Sequence, residues 1–345
     1  MSLRCRAAGC LGLGRSPRRQ KKPLQAWAPS AIHSSQASDK CRRGQAIDNA
    51  LIELRQRLNR LPPPVIVYNK SHSGSGLLVR ALNGQGMFLG AERNESEDAL
   101  PILPVVEACV TRYYPDYGKL WASRGSEPVE LAATAAHAFE RHLVGYDPTD
   151  GRQWGWKLCE TLYAMPFFAF LFPQARVIHL LRDGRDVAWS DHVAPQLPFW
   201  RKVYFDTDRI QHWRGRALTN AAYERASHLY NALHWINSVE RGRAYGNMLG
   251  ERYREVRYET LCADCAGTIA SLLDWLGLEV DSSALDQLVE TIYDHSIGKH
   301  RKRPRRQVRA VLRLIEPTLA SLGYVEPRPA GRSLAALLRA RLSLW

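Results

Sequence analysis

The 345-residue chain predicts an α/β fold, a central parallel sheet flanked by helices on both faces. Three observations predict it. Its short apolar runs do not alternate with polar residues, as suits strands buried on both faces. Stretches with helical apolar spacing lie between those runs. The first run also passes through a Gly/Ser turn directly into a helix, in "VIVYNKSHSGSGLLVRAL". A composition of 45% hydrophobic and 24% charged residues is that of an ordinary globular protein long enough to bury a full core.

Residues 1–44 carry ten Lys/Arg against one acid, Asp39, and show no apolar periodicity. They read as a basic extension without a fold of its own or, being Arg-rich and acid-poor, as a targeting peptide. Ile47, Leu51, Leu54 and Leu58 then recur at helical spacing up to the break at Pro62-Pro63-Pro64. Strands are expected at 65–67, 87–89, 154–157, 177–181 and 255–258. Helices are expected over 129–144, 208–241, 266–277 and 307–322. The folded domain should span 45–326, with 327–345 a tail or short helix. The longest apolar run, 164–172, is nine residues interrupted by Pro166, too short to span a bilayer.

The net charge of +14 is concentrated in two places, 1–44 and the stretch 299–309, which has seven Lys/Arg and no acid. The remainder holds 31 basic against 33 acidic residues, so a general nucleic-acid surface is not expected. Seven scattered cysteines make no disulfide framework, and Cys262-Ala-Asp-Cys265 lacks a second ligand pair for zinc. They suit a reducing, cytoplasmic setting.

In a parallel sheet, ligands bind where the strands end at their carboxyl edge. After the first strand, Gly74 and Gly76 permit close backbone approach, and Ser71, Ser73 and Ser75 add hydroxyls, beside a helix N-terminus. Such a turn is either an anion nest or a Gly/Ser turn that merely caps the helix. It is not the GxxxxGK[ST] triphosphate loop, because Leu77 follows Gly76 and the basic residues Lys70 and His72 precede the glycines. After the fourth strand, "VIHLLRDGRDVAWS" delivers Arg182 at a strand end, with Asp183 as a helix cap and Ser190 eight residues on. Asp183, Arg185 and Asp186 can form local ion pairs at the helix start.

These two motifs together resemble those of the sulfotransferases that use 3′-phosphoadenosine-5′-phosphosulfate (PAPS). "WGWKLCETLYAMPFFAFLFPQARVIHLLRDGRD", "YREVRYETLCADCAGTIASLLDWLGLE" and Leu322-Gly323-Tyr324 resemble further elements of that family in the same order, over roughly residues 64–324. The resemblance implies a P-loop-like sulfotransferase fold, PAPS as sulfuryl donor without a metal, and a hydroxyl-bearing acceptor. It implies that Ser73, Gly74, Ser75, Gly76 and Leu77 hold the 5′-phosphate. Arg182 and Ser190 would hold the 3′-phosphate, with Tyr258 facing the nucleotide. The basic stretch "GKHRKRPRR" would close over the donor through Lys299 or Arg301. The family's Lys or Arg before the Ser-Gly pair falls on His72 in one alignment and on Lys70 in another. Lys157 matches a Lys that reaches the sulfate. For the acceptor base the candidates are Glu95 and Asp98, then Glu92 and Glu160. Acceptor walls are expected from 92–150 and 192–241. A P-loop nucleotide kinase, with Asp183 on magnesium, and a non-catalytic polyanion binder are the competing readings.

Overall fold

The computed structural model describes residues 49–122, 126–190, 220–289 and 296–325. The expectations for 1–44, 327–345 and the first part of the 208–241 helix lie outside them. Among the described residues, four strands form one parallel sheet in the order β2-β1-β3-β4. They are β1 (Val65–Asn69), β2 (Gly155–Lys157), β3 (Arg176–Leu181) and β4 (Tyr253–Arg257). Ile66 is in register with Trp156 on one side and Val177 on the other, and Ile178 with Arg254.

Successive side chains of a strand point to opposite faces, and both faces are covered. Ile66, Tyr68, Trp156, Val177 and Leu181 enter a core shared with the helices Asn49–Leu58, Leu103–Tyr113, Ser126–His142, Asn220–Leu249 and Arg305–Ser321. Val65, Val67, Ile178, Leu180 and Val256 enter the other, with the helices Ser75–Gly84 and Cys265–Leu276. This two-sided burial is why the strands read as continuous apolar runs. No helix among the described residues is long and apolar enough to cross a membrane.

Two sequence expectations shift. The run 87–89 forms a single bridge, Phe88 with Trp154, instead of a fifth strand. Gly90, at φ 89°, turns the chain away there, where a Cβ would meet the His142 ring at 2.4 Å. Tyr258, expected at a strand end, is the first residue of the helix Tyr258–Ala263.

The sheet order fixes the place of a site. The chain leaves β1 for β2 on one side and returns to β3 on the other, so its connections diverge at the carboxyl ends of β1 and β3. That divergence opens a crevice. The turn 70–74 and Arg182 are the segments that border it.

Candidate active site

The turn after β1 is built around two left-handed residues, His72 (φ 66°) and Gly74 (φ 86°). The Ser73 hydroxyl donates to the Lys70 carbonyl at 2.6 Å and closes the loop. Gly74 then leads into the helix Ser75–Gly84. A Cβ at position 74 would fall 2.2 Å from Cε2 of Tyr258, so only glycine leaves that ring its place. The Leu77 N–H donates to the Gly74 carbonyl at 3.2 Å, so Leu77 contributes its side chain to the cavity beside the turn and not an open backbone donor.

That cavity, about 470 Å³, is lined at its floor by Ser71, His72, Gly74, Ser75 and Gly76. Its far side carries Asp98, Lys157, Cys159 and Glu160, and Leu100, Leu103 and Leu158 supply apolar wall. Lys157 is buried and pairs with Asp98 at 2.8 Å while donating to the Ser96 carbonyl at 2.9 Å. Asp98, Cys159 and Glu160 bring ligand-type atoms within 4.8 Å of one another. With the Lys157 ammonium on Asp98, the protein itself balances that charge. Burial, reinforced by the Asp98 charge, pushes the Glu160 carboxyl up to about 7.

The two candidates for the basic slot take different positions. His72 is exposed and lines the cavity. Lys70 is buried, with Nζ donating to the carbonyl and hydroxyl of Ser71 at 3.2 and 3.1 Å. Burial pulls its ammonium down to about 7. Glu95 is exposed and outside the cavity lining, and Glu92 pairs with Arg141 at the surface.

A second basic cluster adjoins the cavity behind Tyr258 and His72. Arg182, 5% exposed, donates from one terminal nitrogen to the His72 carbonyl at 3.3 Å. The other reaches the Ser296 carbonyl and hydroxyl at 2.7 and 3.0 Å. Its guanidinium lies 4.5 Å from the centre of the Tyr258 ring, and its Nε is buried with no partner among the described residues. An orphaned guanidinium N–H beside an aromatic face suits an anionic group joined to a planar ring. Nearby, Lys299 donates to the Ser190 hydroxyl at 2.9 Å. Arg301 is exposed, its side chain near Gly298.

Asp183 caps the helix Gly184–Val187 by accepting from the Arg185 N–H, and its carboxylate holds the Arg185 guanidinium at 2.6 to 2.9 Å. It is thus engaged locally, as the sequence suggested, and is not among the cavity's lining residues. Asp186 behaves otherwise. It accepts from Gly298 N–H (2.7 Å), His300 N–H (3.0 Å) and His300 Nδ1 (2.5 Å), so it bonds across the fold and not within its own helix. Sequence reasoning also passed over Ser296 and Glu259. Glu259 accepts from the Asp183 N–H at 2.9 Å and from the Tyr324 hydroxyl at 2.8 Å, locking the end of β4 against the end of β3.

Against known proteins, a model of the sulfotransferase family matches residues 73–282. No curated protein sequence matches the chain. Among solved structures, sulfotransferase STF9 from Mycobacterium avium is 14% identical, with a TM-score of 0.44, over 82% of this chain and 85% of that one. The sulfotransferase domain of the Synechococcus PCC 7002 olefin synthase is 17% identical, with a TM-score of 0.40, over 83% and 95%. Mouse sulfotransferase SULT7A1, complexed with PAP, is 12% identical, with a TM-score of 0.40, over 84% and 94%.

Proposed function

The chain belongs to the sulfotransferase family, and from that premise we propose that it moves a sulfuryl group from PAPS to a hydroxyl of an acceptor. The observation that carries this reading is the joining of two anion cradles through one ring. Tyr258 fills the space over Gly74 in the first and lies beside the Arg182 guanidinium of the second. One nucleotide with phosphates at both ends matches such a pair. A triphosphate bound in line by a single loop does not need the second.

When bound, PAPS supplies the sulfuryl group and a leaving phosphate oxygen. In this proposal the turn Ser73, Gly74, Ser75 and Gly76 receives the 5′-phosphate on backbone N–H groups and the Ser75 hydroxyl, the Ser73 hydroxyl being spent on the Lys70 carbonyl. Arg182, Ser190 and Lys299 receive the 3′-phosphate, and the Arg182 Nε gains the partner it lacks among the described residues. His72, which lines the same cavity, offers the leaving oxygen a ring N–H donor. Lys70, buried behind the same turn, holds the loop through Ser71. Lys157, fixed by Asp98 and the Ser96 carbonyl, presents a positioned cation where negative charge accumulates. Glu160, the buried acid whose proton affinity sits near neutral pH, accepts the acceptor hydroxyl's proton. Asp98 serves to anchor Lys157.

Calorimetric titration tests the donor assignment. The protein should bind 3′-phosphoadenosine 5′-phosphate (PAP) at least about tenfold more tightly than adenosine 5′-phosphate, since a phosphate gains charge-assisted hydrogen bonds from the second cradle. Equal affinity for the two would refute a 3′-phosphate site.

A further inference from the structure

The residues that would meet the 3′-phosphate come from segments far apart in the chain. Arg182 and Ser190 flank the helix after β3, whereas Ser296 and Lys299 belong to the turn before the helix Arg305–Ser321. The one described side chain with bonds to both ends of that turn's Gly298-to-His300 stretch is Asp186. Its side chain is 1% exposed, and its two oxygens take three donors, the N–H groups of Gly298 and His300 and the Nδ1 of His300. The donor residues bracket Lys299. Gly298 stands at φ 75°, the left-handed conformation that lets the two N–H groups converge on one carboxylate. The His300 ring is itself buried, which places it as a second tether on the same acid. With both neighbours fixed, Lys299 has its Nζ 2.9 Å from the Ser190 hydroxyl. Two residues before the turn's glycine, Ser296 meets Arg182.

We infer that Asp186 is the positioning residue of the donor site, pinning the 296–300 turn so that Lys299 and Ser296 stand against Ser190 and Arg182 before any nucleotide arrives. The inference rests on the donor reading above, and it adds that the distal phosphate site is preorganised by a buried carboxylate that never touches the ligand. An unpaired buried acid would be costly at this position, and its three donors are the reason it is tolerated. A preorganised cation costs less conformational entropy on binding than a free surface lysine.

The test uses the full chain and five proteins, wild type, Asp186→Asn, Asp186→Ala, Lys299→Ala and Asp186→Ala/Lys299→Ala. Two readouts are taken: PAP and adenosine 5′-phosphate affinities by calorimetry, and amide hydrogen exchange over 296–302 without nucleotide. Asp186→Ala should weaken PAP by at least about tenfold with a far smaller change for adenosine 5′-phosphate. Asp186→Asn, which keeps an acceptor oxygen and guards against a misfolded alanine variant, should fall between. In the double variant the loss should match the larger single loss, because Asp186 acts on the phosphate only through the turn that carries Lys299 and Ser296. Exchange over 296–302 should accelerate in the Asp186 variants. Multiplying losses in the double variant, or unchanged exchange over the turn, overturns the inference. If wild type shows no preference for PAP, the donor reading fails and takes the positioning role with it. A wild type that prefers PAP alongside Asp186 variants that retain the preference overturns the positioning role alone.

Discussion

The Tyr258 ring occupies the space that a side chain on Gly74 would need, with Cε2 2.2 Å from where a Cβ would stand. One contact therefore couples the turn after β1 to the start of the helix after β4, and through the ring to Arg182. Gly74→Ala meets two penalties, the left-handed backbone at φ 86° and the displaced ring. The backbone penalty alone is about 1–2 kcal/mol. We expect a lower unfolding midpoint in denaturant together with weakened PAP binding. Adding Tyr258→Ala should relieve the steric share, giving a double variant less destabilised than the sum of its parts.

Arg182→Lys keeps the charge and discards the planar fork that now reaches both His72 and Ser296. It should keep the fold, judged by circular dichroism, and lose most of the discrimination between PAP and adenosine 5′-phosphate, by about tenfold. Full discrimination in the lysine variant would place the 3′-phosphate elsewhere.

The cavity acids divide by environment. Asp98→Asn leaves the buried Lys157 ammonium without its carboxylate and should destabilise the protein by roughly 3 kcal/mol, read by chemical unfolding. Glu160→Gln should leave stability near wild type and lower turnover about 100-fold or more once an acceptor is in hand. With Glu160 as base, kcat/KM of wild type should rise with pH to a plateau above about 7, where the carboxyl is ionised. A profile flat from pH 5 to 8 would assign the proton to another group.

Two buried histidines set the acid limb of stability. Burial pulls His142 down to about 4 and His179 to about 3, so both are neutral in the fold. A depressed folded pKa contributes stability that is present above the unfolded value near 6.5 and lost as pH falls below it, at about 1.4 kcal/mol per pH unit for each group. Glu160, raised to about 7, acts with the opposite sign, its contribution being lost as pH rises from about 4.5 through 7. Urea unfolding between pH 7 and 4 should show a net loss on acidification, shallower in His179→Gln. An unchanged slope in that variant would remove His179 from the account.

The sequence carried the fold through its local signals. The apolar runs at 65–67, 154–157 and 177–181 lie within or against β1, β2 and β3, because strands buried on both faces need no partner to declare themselves. The run 87–89 was apolar enough to read as a strand, but its limit is set by Gly90 packing on His142, a contact with a distant helix. In the site, Arg182 and the turn 70–76 were legible because each sits at a strand end. Lys299 emerged from a basic run in which nothing local separates it from Arg301. The distinction comes from Asp186, 112 residues before Gly298, whose neighbours in sequence suggested only local ion pairs. Glu160 and Glu95 likewise look alike as letters, but Glu160 is buried in the cavity, where burial and the Asp98 charge raise its carboxyl to about 7, whereas Glu95 is exposed outside the lining.

A crystal structure of the protein with PAP tests the central claim most directly. The account predicts the 5′-phosphate on the turn Ser73 to Gly76 and the 3′-phosphate against Arg182, Ser190 and Lys299, with Tyr258 between them. A nucleotide whose 3′-phosphate points away from Arg182, or whose 5′-phosphate lies off the turn after β1, would contradict it.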